Sequence, residues 1–131
     1  MTSQNEHPTR PGLAAMLADQ TAACAPAREA LLAGGELRLF DRELPDWMVR
    51  GIAATRLRRA RRIGLTTVGL DESVEILSRH RDVPFRTGLL DAPDRSWFFT
   101  LYFNAAGTEL LACSAVKNQP ATRKPTRRPG P

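Results

Sequence analysis

The stretch SWFFTLYF, residues 96–103, and the stretch ELLACSAV, residues 109–116, decide the fold. In the first stretch apolar side chains alternate, so that one strand face carries Trp97, Phe99, Leu101 and Phe103. The intervening segment ends in Gly107 and has the length of a hairpin turn, which returns the second stretch antiparallel to the first. Both faces of the hairpin are rather apolar. We therefore expect it to lie at the centre of a sheet that helices cover on at least one side.

Helical and extended patterns surround the hairpin. Pro26 is expected to break or kink the first helix, and Pro84 is expected to confine its strand to a sheet edge or to a strand start. The predicted fold class is α+β, an antiparallel sheet centred on the 96–116 hairpin with about three helices packed on it. The predicted elements are helices at residues 12–33, 45–63 and 71–79, strands at 36–41 and 83–90, and an extended connection at 65–69.

The two ends of the chain differ in composition from its middle. Residues 1–11 are polar with two prolines and predict a flexible arm, whereas residues 118–131 lack large apolar side chains and predict a disordered basic tail. Residues 12–117 are expected to form a single domain. No apolar run reaches the ~18 residues of a membrane span. Because the N-terminus lacks the pattern of a signal peptide, the expected location is the cytoplasm.

The helix at 45–63 carries a dense arginine block, RLRRARR, at residues 56–62. The net charge of the chain is +5, and 17 of its 19 basic residues are arginine, whose planar fork of donors holds phosphate or carboxylate. The expected buried stripe of this helix is Trp47, Met48, Ile52, Ala53, Leu57, Ala60 and Ile63. The predicted nucleic-acid-binding residues are Arg50, Arg58, Arg59, Arg61 and Arg62 of the helix and Arg123, Lys124, Arg127 and Arg128 of the tail.

These charges predict a small basic protein that binds nucleic acid or a ribonucleoprotein, with RNA favoured over sequence-specific DNA. A helix-turn-helix alternative rests on the spacing of Ala60, Gly64 and Leu70, but Asp71 and Glu72 would then face the phosphates of the DNA. An accessory protein that binds an acidic host protein is a further alternative. It would use the same positive surface.

No catalytic signature is present, and neither a cofactor nor a metal is expected. The two histidines, His7 and His80, are far apart in sequence, and Cys24 and Cys113 lack the spacing of a metal site or a redox pair. A nucleotide-binding loop and a nucleophile elbow are also absent. The residues themselves therefore favour a binding protein over an enzyme.

The closing hairpin, residues 97–120, resembles that of the HigB-like branch of the RelE/ParE-type toxins of bacteria and phages. The likeness lies in a strand ending Tyr102-Phe103, a glycine turn and a final Ala115-Val116-Lys117. Without the first helix, the predicted element order also matches the β-α-α-β-β-β order of that superfamily. The resemblance implies a metal-independent ribonuclease that cleaves mRNA at the ribosome. It further implies Arg86, Arg95 and Lys117 as candidate catalytic residues.

Overall fold

The computed structural model of the protein describes residues 10–18, 23–40, 42–80 and 83–117. Five strands form one sheet in the order β1-β3-β4-β5-β2, and every neighbouring pair is antiparallel. The architecture confirms the predicted α+β class with the hairpin at the centre of the sheet. The elements are α1 (Arg10–Met16), α2 (Cys24–Leu32), β1 (Glu36–Leu39), α3 (Asp46–Arg62), β2 (Thr67–Val68), α4 (Leu70–Arg79), β3 (Phe85–Asp91), β4 (Trp97–Asn104) and β5 (Leu110–Lys117).

The hairpin forms antiparallel, as predicted. Trp97 pairs with Lys117 and Thr100 with Ser114, and a register shift follows Tyr102. The turn closes because the side-chain oxygen of Asn104 accepts hydrogen bonds from the backbone N–H groups of Thr108 and Glu109, at 2.9 and 3.1 Å. The left-handed φ of 73° at Gly107 favours a residue without a Cβ atom. The turn chemistry and the alternation therefore specify the same pairing.

Strand alternation divides the sheet into two faces with separate cores. The first face carries Phe99, Leu101 and Phe103, and these side chains pack against buried residues of α1 and α2. The second face carries Tyr102 and Ala112, which pack against Val49, Ala53 and Leu77 of α3 and α4. Helices therefore cover both faces of the hairpin. On the second face, Thr87 and Leu89 of β3 stay partly exposed.

The N-terminal helical region differs from its prediction. It forms two helices, and Pro26 lies in the first turn of α2 rather than at a break. A helix tolerates proline there because a first-turn N–H has no intrahelical acceptor. In addition, α1 begins at Arg10, within the segment predicted as a flexible arm. The rest of that arm, residues 1–9, and the predicted tail, residues 118–131, lie outside the described residues.

Two further expectations concern the strands. Pro84 directly precedes β3, which confirms the predicted strand start and leaves the strand free to pair on both sides with β1 and β4. The expected extended connection contains β2, whose two residues pair with Ala115 and Val116 of β5. This short strand ends the sheet beside α4, which packs against β5.

Candidate nucleic-acid interface

Helix α3 is rotated relative to its predicted apolar stripe. Val49, Ala53 and Ala60 are buried, and the side chain that lies between them on the same helix face is that of Arg56. The predicted stripe is therefore wrong for three of its members, because it did not include Arg56 among the inward residues. The exposed fractions of those members are 64% for Trp47, 37% for Ile52 and 57% for Ile63.

Arg56 points inward because the second sheet face offers it specific partners. Its Nη1 donates a hydrogen bond of 2.7 Å to Thr100 Oγ1, and its Cζ lies 5.3 Å from the centroid of the Phe98 ring. This geometry combines a charge-assisted hydrogen bond with a cation–π contact. The two interactions compensate for the partial burial of the guanidinium.

A polar patch lies beneath Arg56. Thr100 and Ser114 face each other across the hairpin and are 4% and 2% exposed. The hydroxyl of Tyr102 is buried and has no hydrogen-bond partner within good geometry among the described residues. Burial raises the pKa of Tyr102, while the positive charge of Arg56 acts in the opposite direction. The guanidinium thus covers hydroxyl groups that would otherwise lie in an apolar core.

A cleft of about 150 Å³ opens beside Arg56, between the last turns of α3 and the sheet. Arg56 and Phe98 belong to its lining, Arg59 contributes a second positive charge, and the remaining lining is apolar. We call this site the Phe98 cleft. Its lining residues are Arg56, Arg59, Ala60, Ile63, Leu65, Phe98 and Val116.

A second depression follows the N-terminal half of α3 and contains the exposed Trp47 and Ile52. Arg56 lines this depression as well as the Phe98 cleft, so that the two adjoin. Together they form one flank of the helix, which we call the α3 strip. The residues that line the second depression are Trp47, Met48, Gly51, Ile52, Thr55 and Arg56.

The predicted arginines of α3 fall into two groups. Arg50 and Arg61 form ion pairs of 3.0 Å with Asp46 and Asp71, respectively. Arg58, Arg59 and Arg62 are exposed near the end of the helix. The Arg58 guanidinium donates to Thr55 Oγ1 at 3.3 Å. Within the described ranges Arg59 and Arg62 meet no carboxylate, so these two charges are available to an anionic ligand.

The predicted basic residues of the tail, Arg123, Lys124, Arg127 and Arg128, lie outside the described residues.

The three candidate catalytic residues are not brought together. Arg86 pairs with Phe103 and Lys117 with Trp97, which separates them by about 20 Å along β4 at the usual rise per residue. The Arg86 guanidinium donates to the Ala105 carbonyl and lies 4.0 Å from Glu43.

The other two candidates lie at the Trp97 end of the hairpin. The Arg95 guanidinium is 3.9 Å from Glu36. The Lys117 ammonium is 5.9 Å from the centroid of the Trp97 ring. Each of the three cations therefore has a partner of its own, and the three do not converge on one point.

The two cysteines, distant in sequence, meet in the first-face core. Cys24 begins α2 and Cys113 lies in β5, and both are buried free thiols. The hydrogen bond between them, together with burial, holds the pKa of the Cys113 thiol well above its usual range.

In the part of the chain that the structure describes, no three His, Cys, Asp or Glu side chains gather closely enough to hold a metal ion. His80 bonds the carbonyl of Ile76 at 2.9 Å, as a helix-end residue does.

No protein-family model matches the chain, and neither the curated proteins nor the solved structures contain a match to it. Among the helices that the structure describes, none has the length and apolarity needed to cross a membrane.

Proposed function

We propose that the protein binds single-stranded nucleic acid, RNA in particular, along the α3 strip. The observation that carries the proposal is the order of side chains on that flank. An exposed Trp47 is followed by Arg56 against the Phe98 ring and then by Arg59, and Arg62 lies one turn further along α3. Neither Arg59 nor Arg62 meets a carboxylate among the residues that the structure describes. Aromatic platforms next to arginines are what a single strand needs, because its bases stack and its phosphates bind cations.

The shape and charge of the surface favour a single strand over a duplex. Trp47 and Arg62 are 15 residues apart on α3, or about 22 Å along the helix axis. Asp71 and Glu72 begin the next helix, and their carboxylates would repel phosphate if that helix entered a major groove. Bases of RNA outside a duplex are free to stack on aromatic and guanidinium planes.

A salt titration tests the proposal. Binding of labelled single-stranded RNA and of duplex DNA is measured by fluorescence anisotropy from 50 to 300 mM salt. The double variant Arg59→Gln/Arg62→Gln should lower the steepness of the logarithmic salt dependence by about 1.4, since each lost phosphate contact removes about 0.7 on a single strand.

The matched control is Arg28→Gln/Arg79→Gln. It changes two exposed arginines on α2 and α4 and lowers the net charge of +5 by the same two units. The control should leave the salt dependence nearly unchanged. Equal effects of the two double variants, or no binding of the wild type at about 150 mM salt, would refute binding at the α3 strip.

Electrophoresis of the RNA after the titration addresses the second candidate, a RelE/ParE-type ribonuclease. The element order supports that candidate, because β1, α3, α4, β3, β4 and β5 follow one another once α1 and α2 are set aside, with the two-residue β2 between α3 and α4. RNA fragments that still appear with Arg59→Gln/Arg62→Gln but not with Lys117→Gln would favour cleavage. Intact RNA leaves a binding protein.

A third candidate follows from the apolar part of the α3 strip. Trp47 and Ile52 are exposed in one depression that Arg56 also lines, which suits an amphipathic acidic segment of a protein partner. A stable complex with such a protein, and no RNA affinity at about 150 mM salt, would establish this candidate in place of the first.

A further inference from the structure

We infer that the Phe98 cleft holds one unstacked base of the bound strand, with the base lying against Phe98 and Arg56. The inference rests on the proposed function and adds a defined base site to it. A surface that binds only phosphates needs no cleft. The α3 strip has a cleft where its N-terminal half, which contains Trp47, adjoins its C-terminal half, which contains Arg59.

The size and lining of the cleft suit a single planar ring. An apolar cavity of similar size, about 150 Å³, accepts one benzene-sized molecule. The walls of the cleft are apolar and consist of Ala60, Ile63, Leu65 and Val116. A ring that enters the cleft removes this apolar surface from water, which is favourable for binding. The Phe98 side chain is only partly buried, which leaves part of its surface for contact.

Arg56 is positioned to recognise the edge of a base. Its hydrogen bond to Thr100 and its contact with Phe98 fix the plane of the guanidinium before any ligand arrives. Among the described residues Thr100 is the one hydrogen-bond acceptor that Arg56 meets, so its other N–H groups are available to a base carbonyl or ring nitrogen. Such preorganisation lowers the entropy cost of binding, because the Arg56 side chain is already ordered before the ligand arrives.

Arg59 completes the site because it lies at the same cleft with no carboxylate partner among the described residues. The phosphate that joins the bound nucleotide to its neighbour would meet this charge. The cleft therefore offers a stacking surface on β4 together with an edge donor and a phosphate contact within one turn of α3.

The experiment compares two strands of equal length and charge, an unstructured RNA octamer and the same octamer with every base removed. The wild type should bind the base-bearing strand at least fivefold more tightly at equal salt. Phe98→Leu should reduce that preference by at least threefold without changing the salt dependence, because a stacking contact carries no charge. The control, Phe40→Leu, alters a 42% exposed phenylalanine outside the cleft and should keep the full preference.

The outcomes separate this inference from the proposed function. No binding of either strand by the wild type refutes the function itself. Equal affinity for both strands overturns the base site and leaves RNA binding through phosphate contacts alone. A full preference for bases in folded Phe98→Leu also overturns it. If that variant does not fold, Arg56→Lys takes its place, because it keeps the charge but removes the planar donor fork and should weaken the preference in the same way.

Discussion

Releasing Arg61 should strengthen RNA binding while it weakens the fold. Asp71 holds Arg61 through both carboxylate oxygens, at 3.1 and 3.0 Å, and the two side chains are 64% and 65% exposed. The substitution Asp71→Asn removes the negative charge and keeps the side-chain shape. It raises the net charge from +5 to +6, since 19 basic residues are then balanced by 13 acidic ones instead of 14.

The size of both effects follows from the structure. One additional phosphate contact on a single strand steepens the salt dependence by about 0.7, which corresponds to about eightfold tighter binding at 50 mM salt and about fourfold at 150 mM. An exposed ion pair contributes about 0–1 kcal/mol to folding. Asp71 also lies in the first turn of α4, where a negative charge contributes about 0.3–1 kcal/mol. We therefore expect the free energy of unfolding to fall by about 1 kcal/mol.

The matched control is Glu75→Gln, which makes the same change of charge on α4. Glu75 pairs with Arg79 at 3.4 Å, and both side chains are about as exposed as the first pair, at 69% and 66%. Anisotropy titrations with single-stranded RNA at two salt concentrations, and urea unfolding of each variant, provide the measurements. An equal gain in both variants would mean that binding follows net charge alone. No gain with Asp71→Asn would show that phosphate does not approach this end of α3.

Three further predictions concern stability. Gly64 and Gly69 share a φ of +74°, yet a Cβ atom at 64 would meet nothing within 4 Å, whereas one at 69 would lie 2.8 Å from the Cys113 carbonyl oxygen and 2.9 Å from Ala23 Cβ. In urea unfolding, Gly64→Ala should therefore lower the free energy of unfolding by about 1 kcal/mol and Gly69→Ala by more than about 2 kcal/mol. Equal losses in the two variants would contradict the close packing at Gly69. Gly51 lies exposed inside α3 with open space around it, so Gly51→Ala should stabilise the protein by about 1 kcal/mol, and a loss of stability would mean that the site is not open. Because the pKa of Cys113 is raised in the folded protein, the thiol's contribution to the free energy of unfolding is fully present below the unfolded pKa of about 8.5. At higher pH the unfolded chain loses the proton first, so this contribution falls by up to about 1.4 kcal/mol per pH unit. The free energy of unfolding measured between pH 7 and 9.5 should therefore decline less in Cys113→Ala than in the wild type, and identical curves would refute this cause.

The parts of the fold that the sequence predicts well are those governed by local rules. The hairpin is specified by period-two alternation and by a turn that ends in glycine, and both signals lie within 22 contiguous residues, 96–117. The start of β3 is specified by Pro84. The start of α2 is harder to predict, because proline is compatible with a helix start as well as with a helix break. The packing of α2 against the sheet places Pro26 in the first turn of the helix.

The site was predicted less completely because its contacts are distant in sequence. Arg56 has helical spacing with Val49, Ala53 and Ala60, so the signal for an inward position was present. The charge of the Arg56 guanidinium makes burial unfavourable unless the group finds partners. Those partners, Phe98 and Thr100, follow more than 40 residues later in the sequence. The contact between Cys24 and Cys113 spans an even longer separation. Composition alone indicates neither pairing.

The inward position of Arg56 also explains the exposed apolar residues of α3. A helix face has room for a limited number of inward side chains, and with Arg56 beside Ala53 and Ala60 the larger Ile52 and Ile63 are displaced to the flank. Leaving these side chains and Trp47 in water forgoes burial that would stabilise the fold, at about 25 cal/mol per Å² of apolar surface. A single strand placed on the flank would recover part of that burial through its bases and would satisfy Arg59 through its phosphates. The same rotation of α3 therefore creates both the aromatic and the cationic halves of the proposed binding surface.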